Sequence, residues 1–435
     1  MSQPVFSTDR HGWAELLPAR TPTAAISGTR RCHWAVVGAG FTGLACARRL
    51  AVLHPEQDII LLDARALAQA ASGRNSGYAV GCSHFPGAFE PARLAGYRRV
   101  NRINAAGLSL LREQVHRLGI RCQWHEQGFF HAAADAQALA EVPHFADYLS
   151  RLDIPHRVLE QSALQAQLGT DWYARAVQVQ IGALVQPAAL LYGLAATLPP
   201  NVTLHENSPV LQVQTGAGIT LQTPDAVVDA ERLVIAANFE AATLGIIRPE
   251  TVGSTLSGSF TRRLSADERA SLGELAQWGV LSLHSGGATV RLTEDGRISV
   301  RNTAEYHGGK LLPDTALRKR QAIHRQAFEN RFPQLRAVPF EFGWSGVEGI
   351  SRNGTNFFQH PRRNVWFAGG YNGSGVSRGT AFGTAMADYA SGGQSALITD
   401  CLGSPAAQWL PPRPVLDIGA WFTVRRRFRG VGRDR

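Results

Sequence analysis

Cysteine is scarce in this chain of 435 residues, and the five cysteines are scattered without a CxxC spacing. This excludes a disulfide framework and a site built on paired cysteines, it suits a reducing compartment, and we predict no metal site. No run of 18 apolar residues is present, so no transmembrane helix is predicted. The first residues carry early acidic side chains and no apolar core, which excludes a secretory signal. We therefore expect a cytoplasmic protein.

Lysine is almost absent as well, because only Lys310 and Lys319 interrupt a set of 44 basic residues that is otherwise arginine, which is typical of a GC-rich bacterial genome. The net charge of +10 suggests a nucleic-acid partner, but its distribution argues against one. Six arginines between residues 421 and 435 stand against one aspartate, so half of the excess lies in one short tail. We expect no nucleic-acid partner.

The strongest motif lies near the front of the chain. An apolar run ending at Val37 meets the turn Gly38-Ala39-Gly40-Phe41-Thr42-Gly43, which a helical stretch, a second apolar run and Asp63 follow. In such a turn the first glycine permits a tight bend, the second lets the backbone approach a pyrophosphate, and the third allows close helix–strand packing. An acid at the end of the second strand can bind ribose hydroxyls. The pattern predicts FAD or NAD rather than NADP.

A second glycine cluster, near the C-terminal end of the sequence, decides between FAD and NAD. Residues 364–368 form an expected strand, a glycine-rich loop runs from 369 to 375, and a helix with small residues at Gly379, Ala381, Gly383 and Ala385 follows. A tightly packed helix pair explains the small residues by itself. Together with the first motif, however, the loop supplies a second helix N-terminus for the far end of an elongated cofactor. This favours a flavin.

These motifs resemble the FAD-dependent D-amino-acid oxidase-like oxidoreductases, a family with glycine and sarcosine oxidases, D-amino-acid dehydrogenases and γ-glutamylputrescine oxidase. Two further segments carry the resemblance, namely residues 71–77 (ASGRNSG) and residues 233–238 (LVIAAN). The resemblance implies noncovalent FAD, with covalent attachment near Cys82 or His84 as the alternative. The residues expected to bind FAD are Gly38, Gly40, Phe41, Thr42, Gly43, Asp63, Ala71, Ser72, Arg74, Asn75, Ser76, Gly77, Val210, Ala237, Gly370, Asn372, Gly373, Ser374, Gly375 and Val376.

The resemblance also implies the architecture. We expect an α/β protein, α+β overall, with a Rossmann-like FAD-binding domain around a parallel sheet and a substrate domain around a mainly antiparallel sheet. The FAD-binding domain is predicted to be discontinuous, from 30–85, 160–245 and 345–400. The insertions 86–159 and 246–344 then form the substrate domain, with 1–29 as an arm and 401–435 as a basic tail.

The implied reaction is oxidation of a carbon–nitrogen bond of a small amine or amino acid, by hydride transfer to the flavin and hydrolysis of the imine, with oxygen or a quinone as electron acceptor. An arginine is expected to bind a substrate carboxylate. The candidate catalytic residues are Arg291, Arg301, Tyr371 and Ser374, with Trp344, His84, Glu348 and Arg352 as further candidates around the pocket. Two other hypotheses are a flavoenzyme acting on a tRNA methylaminomethyl group and a non-catalytic flavin-binding subunit.

The tail combines aromatic residues with clustered arginine, which is the composition of a segment that lies on a membrane surface. The alternative is a terminal helix that docks Trp421 and Phe422 on the body of the protein, with its arginines in solvent.

Overall fold

A computed structural model describes residues 4–248, 250–284 and 286–434. Residues 1–3 of the predicted arm and Arg435 of the predicted tail lie outside this description, as does the side chain of Arg427. In the part of the chain that is described, no helix combines the length and apolar character needed to span a membrane.

The described strands are β1 (Val5–Phe6), β2 (Gly28–Val37), β3 (Ile59–Leu62), β4 (Tyr78–Val80), β5 (Phe129–Ala133), β6 (His156–Glu160), β7 (Arg175–Val179), β8 (Gly182–Leu184), β9 (Val202–His205), β10 (Gln212–Thr215), β11 (Ile219–Gln222), β12 (Ala226–Ile235), β13 (Thr251–Thr261), β14 (Trp278–Ser282), β15 (Thr289–Leu292), β16 (Ile298–Glu305), β17 (Phe340–Ser351), β18 (Phe357–Arg362) and β19 (Val365–Gly369).

The described helices are α1 (Gly12–Glu15), α2 (Phe41–Leu53), α3 (Ala71–Arg74), α4 (Leu94–Arg117), α5 (Ala136–Arg151), α6 (Gln161–Leu168), α7 (Pro187–Ala196), α8 (Ala266–Ala270), α9 (Asp314–Arg331), α10 (Gly375–Ala390), α11 (Ala396–Leu402) and α12 (Val415–Arg429).

Two large sheets organise the chain. In the eight-stranded sheet, β19, β12, β2, β3 and β9 pair in parallel and form the centre, while β10, β11 and β18 add antiparallel pairs. The nine-stranded sheet has the order β1-β17-β13-β16-β15-β14-β5-β7-β6, and only the pairs β1–β17 and β14–β5 are parallel. The predicted fold class, a parallel cofactor sheet with a mainly antiparallel second sheet, is confirmed.

Helix α10 packs closely against its neighbours because it carries glycine where backbones meet. A Cβ on Gly383 would lie 2.1 Å from the carbonyl oxygen of Thr42 in α2. A Cβ on Gly107 of α4 would lie 1.9 Å from the carbonyl oxygen of Ser377 in α10. The small residues of α10 therefore allow close helix packing, and these packing contacts do not involve the N-terminal residue of the helix.

The division into sheets differs from the predicted domain boundaries at two places. Strands β6 and β7 lie in the nine-stranded sheet, although they fall within or beside the segment 160–245 that we assigned to the FAD-binding domain. Strand β17 also begins at Phe340, before the predicted boundary at 345, and belongs to the same sheet. Strand pairing joins residues far apart in sequence, so local patterns could not assign these strands.

Neither end of the chain is a separate appendage. At the front, β1 pairs with β17, and the Trp13 side chain is fully buried with its Nε1 donating to the carbonyl oxygen of Asn75 at 2.7 Å. Gly28 and Thr29 already belong to β2. At the end, Asp434 is buried and forms an ion pair with Arg331 at 2.6 Å. Both predicted appendages are therefore built into the fold.

Candidate functional site

A cavity of about 1410 Å³ lies between the two large sheets. Its walls come from the turn before α2, the segment after α3, the loop before α10, and strands β13, β14, β16 and β17. Seventeen of the twenty residues predicted to bind the cofactor line it, and Gly43, Gly77 and Gly370 do not. The sequence motifs therefore meet at one cavity, although they lie more than 300 residues apart.

The turn between β2 and α2 is held tight by glycine. Gly38 has a φ of +105°, and a Cβ there would lie 2.7 Å from the carbonyl oxygen of Ala236. A Cβ on Gly43 would lie only 1.7 Å from the carbonyl oxygen of Gly38, so α2 begins in direct contact with the turn. The N-cap residue Gly40 provides no side-chain cap. The amides of the first turn of α2 can thus bind an anion in the cavity.

Asp63 stands at the end of β3 beside this turn. Its Oδ2 accepts a hydrogen bond from the amide of Ala39 at 2.7 Å, and its Oδ1 accepts one from the amide of Arg65 at 2.9 Å. Burial raises the pKa of the Asp63 carboxyl, and these amides oppose that effect. Arg65 pairs with Glu240 at 2.8 Å across the same end of the cavity. The carboxyl group is fixed in place and still lines the cavity.

The segment 71–77 forms the short helix α3 and a turn. Asn75 holds the turn through its Oδ1, which accepts from the amide of Gly77 at 2.8 Å, and its Nδ2, which donates to the carbonyl oxygen of Ser72 at 2.6 Å. Arg74 is buried and donates to the carbonyl oxygen of Ser345 in β17 at 3.0 Å. Burial lowers the pKa of Arg74 to about 10. Arg74 thus ties α3 to strand β17 of the nine-stranded sheet at the cavity wall.

The loop before α10 is shaped by residues in the left-handed region. Gly370 has a φ of +72° and Asn372 a φ of +51°. The Asn372 side chain ties the loop to β17 because its Oδ1 accepts from the amide of Ser351 at 2.9 Å. Ser374 is the N-cap of α10 and makes no side-chain cap. A second helix N-terminus therefore lies at the cavity wall.

The two arginines of the β15–β16 hairpin lie in different places. Arg301 lines the cavity, where its Nη2 donates to Oγ1 of Thr289. Arg291 lies behind the cavity wall, fully buried, with its guanidinium 5.1 Å from the centre of the Trp13 ring. It donates to the carbonyl oxygens of Gly77 and Val185 at 3.1 and 2.6 Å. Arg291 therefore does not line the cavity, which corrects its expected place in the substrate pocket.

The alternation of side chains along a strand does not explain this difference, because residues paired in register, and residues two positions apart on one strand, lie on the same face of the sheet. Arg301 pairs in register with Thr289, whereas Arg291 pairs with Ser299. Arg291 is two positions from Thr289 and therefore lies on the same face as Arg301, but its guanidinium packs on the Trp13 ring and donates to the carbonyl oxygen of Gly77 instead of reaching the cavity. The sequence did not reveal that the N-terminal arm supplies this ring.

The remaining candidates lie at the cavity wall. Tyr371 lines the cavity, but its hydroxyl accepts a hydrogen bond from Thr42 Oγ1 at 2.8 Å, and burial raises its pKa. Its phenol oxygen is thus tied to α2. Further candidates that line the cavity are Ser374, Trp344, His84, Glu348 and Arg352. Lys310, one of the two lysines of the chain, lines it as well.

Several lining residues were not predicted. His131 on β5 and His284 after β14 line the cavity, and the rings of His131 and His84 have their centroids 6.0 Å apart. Burial lowers the pKa of His131 to about 3 and that of His84 to about 4. Val424 and Phe428 of α12 line it too. The four-residue spacing of Val424 and Phe428 was the sequence signal that could have predicted an apolar helix face directed at the protein. No local sequence pattern predicts that the histidines line a cavity. In the described part of the chain, no group of three or more metal-binding side chains occurs.

Comparisons with known proteins agree with this geometry. The model of the family described as FAD dependent oxidoreductase matches residues 33–389. Gamma-glutamylputrescine oxidoreductase of Escherichia coli is 26% identical over 369 residues, which cover 82% of this chain and 83% of that protein. Glycine oxidase of Geobacillus kaustophilus has a similar structure, with a TM-score of 0.72, 19% identity, and coverage of 84% of this chain and 96% of the other. L-Amino acid deaminase of Proteus myxofaciens has a TM-score of 0.70 at 15% identity, with 91% and 96% covered.

Proposed function

The chain belongs to the FAD dependent oxidoreductase family and is an oxidoreductase of the amine and amino-acid type, and on that premise we propose that it oxidises a small amine or amino acid bearing a carboxylate. One observation carries the proposal. A single cavity holds two uncapped helix N-termini, at Gly40 and Ser374, and an arginine, Arg301, on the opposite sheet. Helix N-termini suit the anionic and electron-accepting parts of a dinucleotide, and arginine suits a carboxylate.

The residues of the cavity fit FAD. The first turn of α2 would hold the pyrophosphate, and Asp63 would hold a ribose hydroxyl. Val210 and Ala237 line the same end and would contact the adenine. The loop 372–376 at the start of α10 would face the flavin ring. When bound, FAD supplies the acceptor for a hydride.

The chain's own residues would bind and orient the substrate. Arg301, held by Thr289, would fix a carboxylate so that the carbon next to nitrogen faces the flavin site. The amides at the start of α10 would stabilise negative charge that develops there. His84 and His131 are neutral at neutral pH because burial lowers their pKa, so they add no positive charge that would repel an amine.

The two other hypotheses from the sequence are not favoured. Relatives across most of the chain are oxidoreductases by name, which argues against a non-catalytic subunit. The excess of arginine lies in the tail, and α12 seats Val424 and Phe428 in the cavity wall rather than forming a basic groove beside it. A macromolecular substrate such as tRNA therefore has little support.

We propose that the flavin is held noncovalently. Attachment through cysteine requires a thiolate, and burial raises the pKa of the Cys82 thiol to about 12. His84 is a neutral imidazole whose ring packs edge-on against Phe145, with centroids 4.7 Å apart. Oxygen or a quinone would then take the electrons. Lys310 lines the cavity and Lys319 does not, so Lys310 is the lysine placed to assist reaction with oxygen.

We expect the purified protein to be yellow and to release FAD into the supernatant when it is precipitated with acid. A panel of amino acids and amines, tested with an artificial electron acceptor, should bleach the flavin and yield ammonia or a primary amine with the matching carbonyl compound. Hydrogen peroxide formed without the artificial acceptor would identify oxygen as the acceptor. Flavin that stays with the precipitate would contradict noncovalent binding, and a flavin that no carboxylate-bearing amine reduces would contradict the proposed function.

We further propose a cytoplasmic protein that touches the membrane through α12. The helix leaves Val415, Ile418 and Phe422 exposed, at 59%, 58% and 61% of their surface. Arg425, Arg426 and Arg429 are exposed on the following turns. An apolar stretch beside clustered arginine matches the interface of an anionic lipid surface. The alternative, docking of Trp421 and Phe422 on the body, fits less well because both rings are largely exposed.

Replacing Arg425, Arg426 and Arg429 together with glutamine should weaken binding to phosphatidylglycerol vesicles at low salt by about 100-fold, because each arginine near an anionic surface contributes about 1 kcal/mol. Vesicle sedimentation measures this. The matched control replaces three exposed arginines elsewhere, Arg98, Arg263 and Arg336, with glutamine. Equal loss in both triple variants, or equal binding of the natural protein to phosphatidylcholine vesicles, would contradict a specific role for the helix.

A further inference from the structure

The inner face of α12 forms part of the cavity wall, although the helix lies beyond the residues that match the family model. Val424 and Phe428, one helical turn apart, are both half-buried and line the cavity. Their neighbour on the opposite face, Phe422, is 61% exposed. The helix therefore presents an apolar pair inward and a different set of residues outward.

The position of this wall within the cavity follows from its contacts. A Cβ on Gly286 would lie 3.0 Å from the ring of Phe428, so this phenylalanine covers the loop between β14 and β15. That loop leads into Thr289, whose Oγ1 accepts the hydrogen bond from Arg301. Asp63, just after β3, and Val210, just before β10, line a different part of the cavity wall, which comes from the eight-stranded sheet. Phe428 thus lies at the end of the cavity where Arg301 is placed.

The helix is anchored firmly enough to act as a wall. Beyond its C-terminus, the carbonyl oxygen of Asp434 accepts from the amide of Ala288 at 3.0 Å. The Asp434 carboxylate pairs with Arg331 at 2.6 Å, and both side chains are fully buried. Nearer its start, the hydroxyl of Tyr306 donates to Asp417. Contacts at both ends hold the helix across the cavity.

We infer that Val424 and Phe428 determine substrate specificity, by closing the end of the cavity beyond Arg301 with an apolar surface. This inference rests on the proposed function for the chemistry of the substrate. An amino acid whose carboxylate binds Arg301 would place an unbranched apolar side chain against these two residues. The wall would favour such side chains over charged ones, and it would shield the flavin site from solvent.

The test compares Phe428→Ala with Phe422→Ala, which makes the same change on the outer face of the same helix. Iodide quenches flavin fluorescence by collision, so its quenching constant on the FAD-loaded protein measures access to the cavity. We expect this constant to rise at least about twofold in Phe428→Ala, because the variant removes a wall that excludes water. It should be unchanged in Phe422→Ala. Val424→Trp should lower it, since a larger ring narrows the same opening.

The second readout uses amino acids with unbranched side chains of increasing length. In the natural protein kcat/KM should rise about fourfold for each methylene that reaches the wall, and Phe428→Ala should lose this gain while the shortest substrate is unaffected. Equal quenching constants in the Phe428→Ala, Val424→Trp and natural proteins would overturn the inference. If no amino acid is oxidised, the proposed function fails, while the quenching data still decide whether α12 closes the cavity.

Discussion

Gly40→Val should yield a folded but colourless protein. A Cβ on Gly40 would meet only the Ser72 hydroxyl, at 2.6 Å, and that side chain can rotate away. The added methyl groups would instead cover the first turn of α2 and keep a pyrophosphate from its amides. Loss of two hydrogen bonds to a charged group, each about 1.5–3 kcal/mol, predicts an FAD affinity at least about 100-fold lower. Titration of the apoprotein with FAD measures it.

Gly43→Val should impair the protein more than Gly40→Val, because the valine side chain would collide with backbone atoms, which cannot rotate away. The carbonyl oxygen of Gly38 would lie 1.7 Å from the new Cβ, so α2 must move away from β2. We expect loss of FAD together with destabilisation of about 3 kcal/mol or more, read from the melting temperature of the apoprotein. Gly96→Val is the matched control, because nothing lies within 4 Å of a Cβ at Gly96 in α4. Normal yellow protein from Gly40→Val would show that the turn does not hold the pyrophosphate.

The second large effect is expected at Arg301. Arg301→Met should raise the KM for an amino-acid substrate about 100-fold, which corresponds to the roughly 3 kcal/mol of a charged pair of hydrogen bonds. The KM for a related amine without a carboxylate should change little. Arg301→Lys should recover part of the loss, because lysine keeps the charge but not the forked geometry. Steady-state kinetics on the two substrates measures the difference.

Arg291→Met is the matched control on the same hairpin. Arg291 donates to the carbonyl oxygens of Gly77 and Val185 and has no place in the cavity lining. Its replacement should therefore lower stability by about 1–3 kcal/mol, the cost of buried groups left without partners, and leave KM unchanged. An Arg301→Met variant that loses both substrates equally would contradict a carboxylate site at Arg301.

The sequence by itself predicted the part of the cavity that we propose for FAD, because short local sequence motifs specify that part. The turn that begins at Gly38 and the loop before α10 need left-handed backbone at Gly38, Gly370 and Gly373, and glycine at those positions reports it directly. Asp63 is marked by its place at the end of the second apolar run. Helix α2 and strand β3 occur where the helical stretch and the second apolar run predict them, since both elements are largely buried and their apolar residues mark them in the sequence.

Only the tertiary structure decided the substrate half. Arg301 reaches the cavity and Arg291 does not, because Arg291 packs on the ring of Trp13. Trp13 belongs to the segment that the sequence predicted to be a separate arm. The membership of β6 and β7 in the nine-stranded sheet depends on pairing with distant strands. The orientation of the Phe428 side chain toward the cavity depends on the ion pair between Arg331 and Asp434, which are 103 positions apart in the sequence. Contacts between residues so far apart leave no periodic trace in the sequence, and they place the substrate end of the cavity.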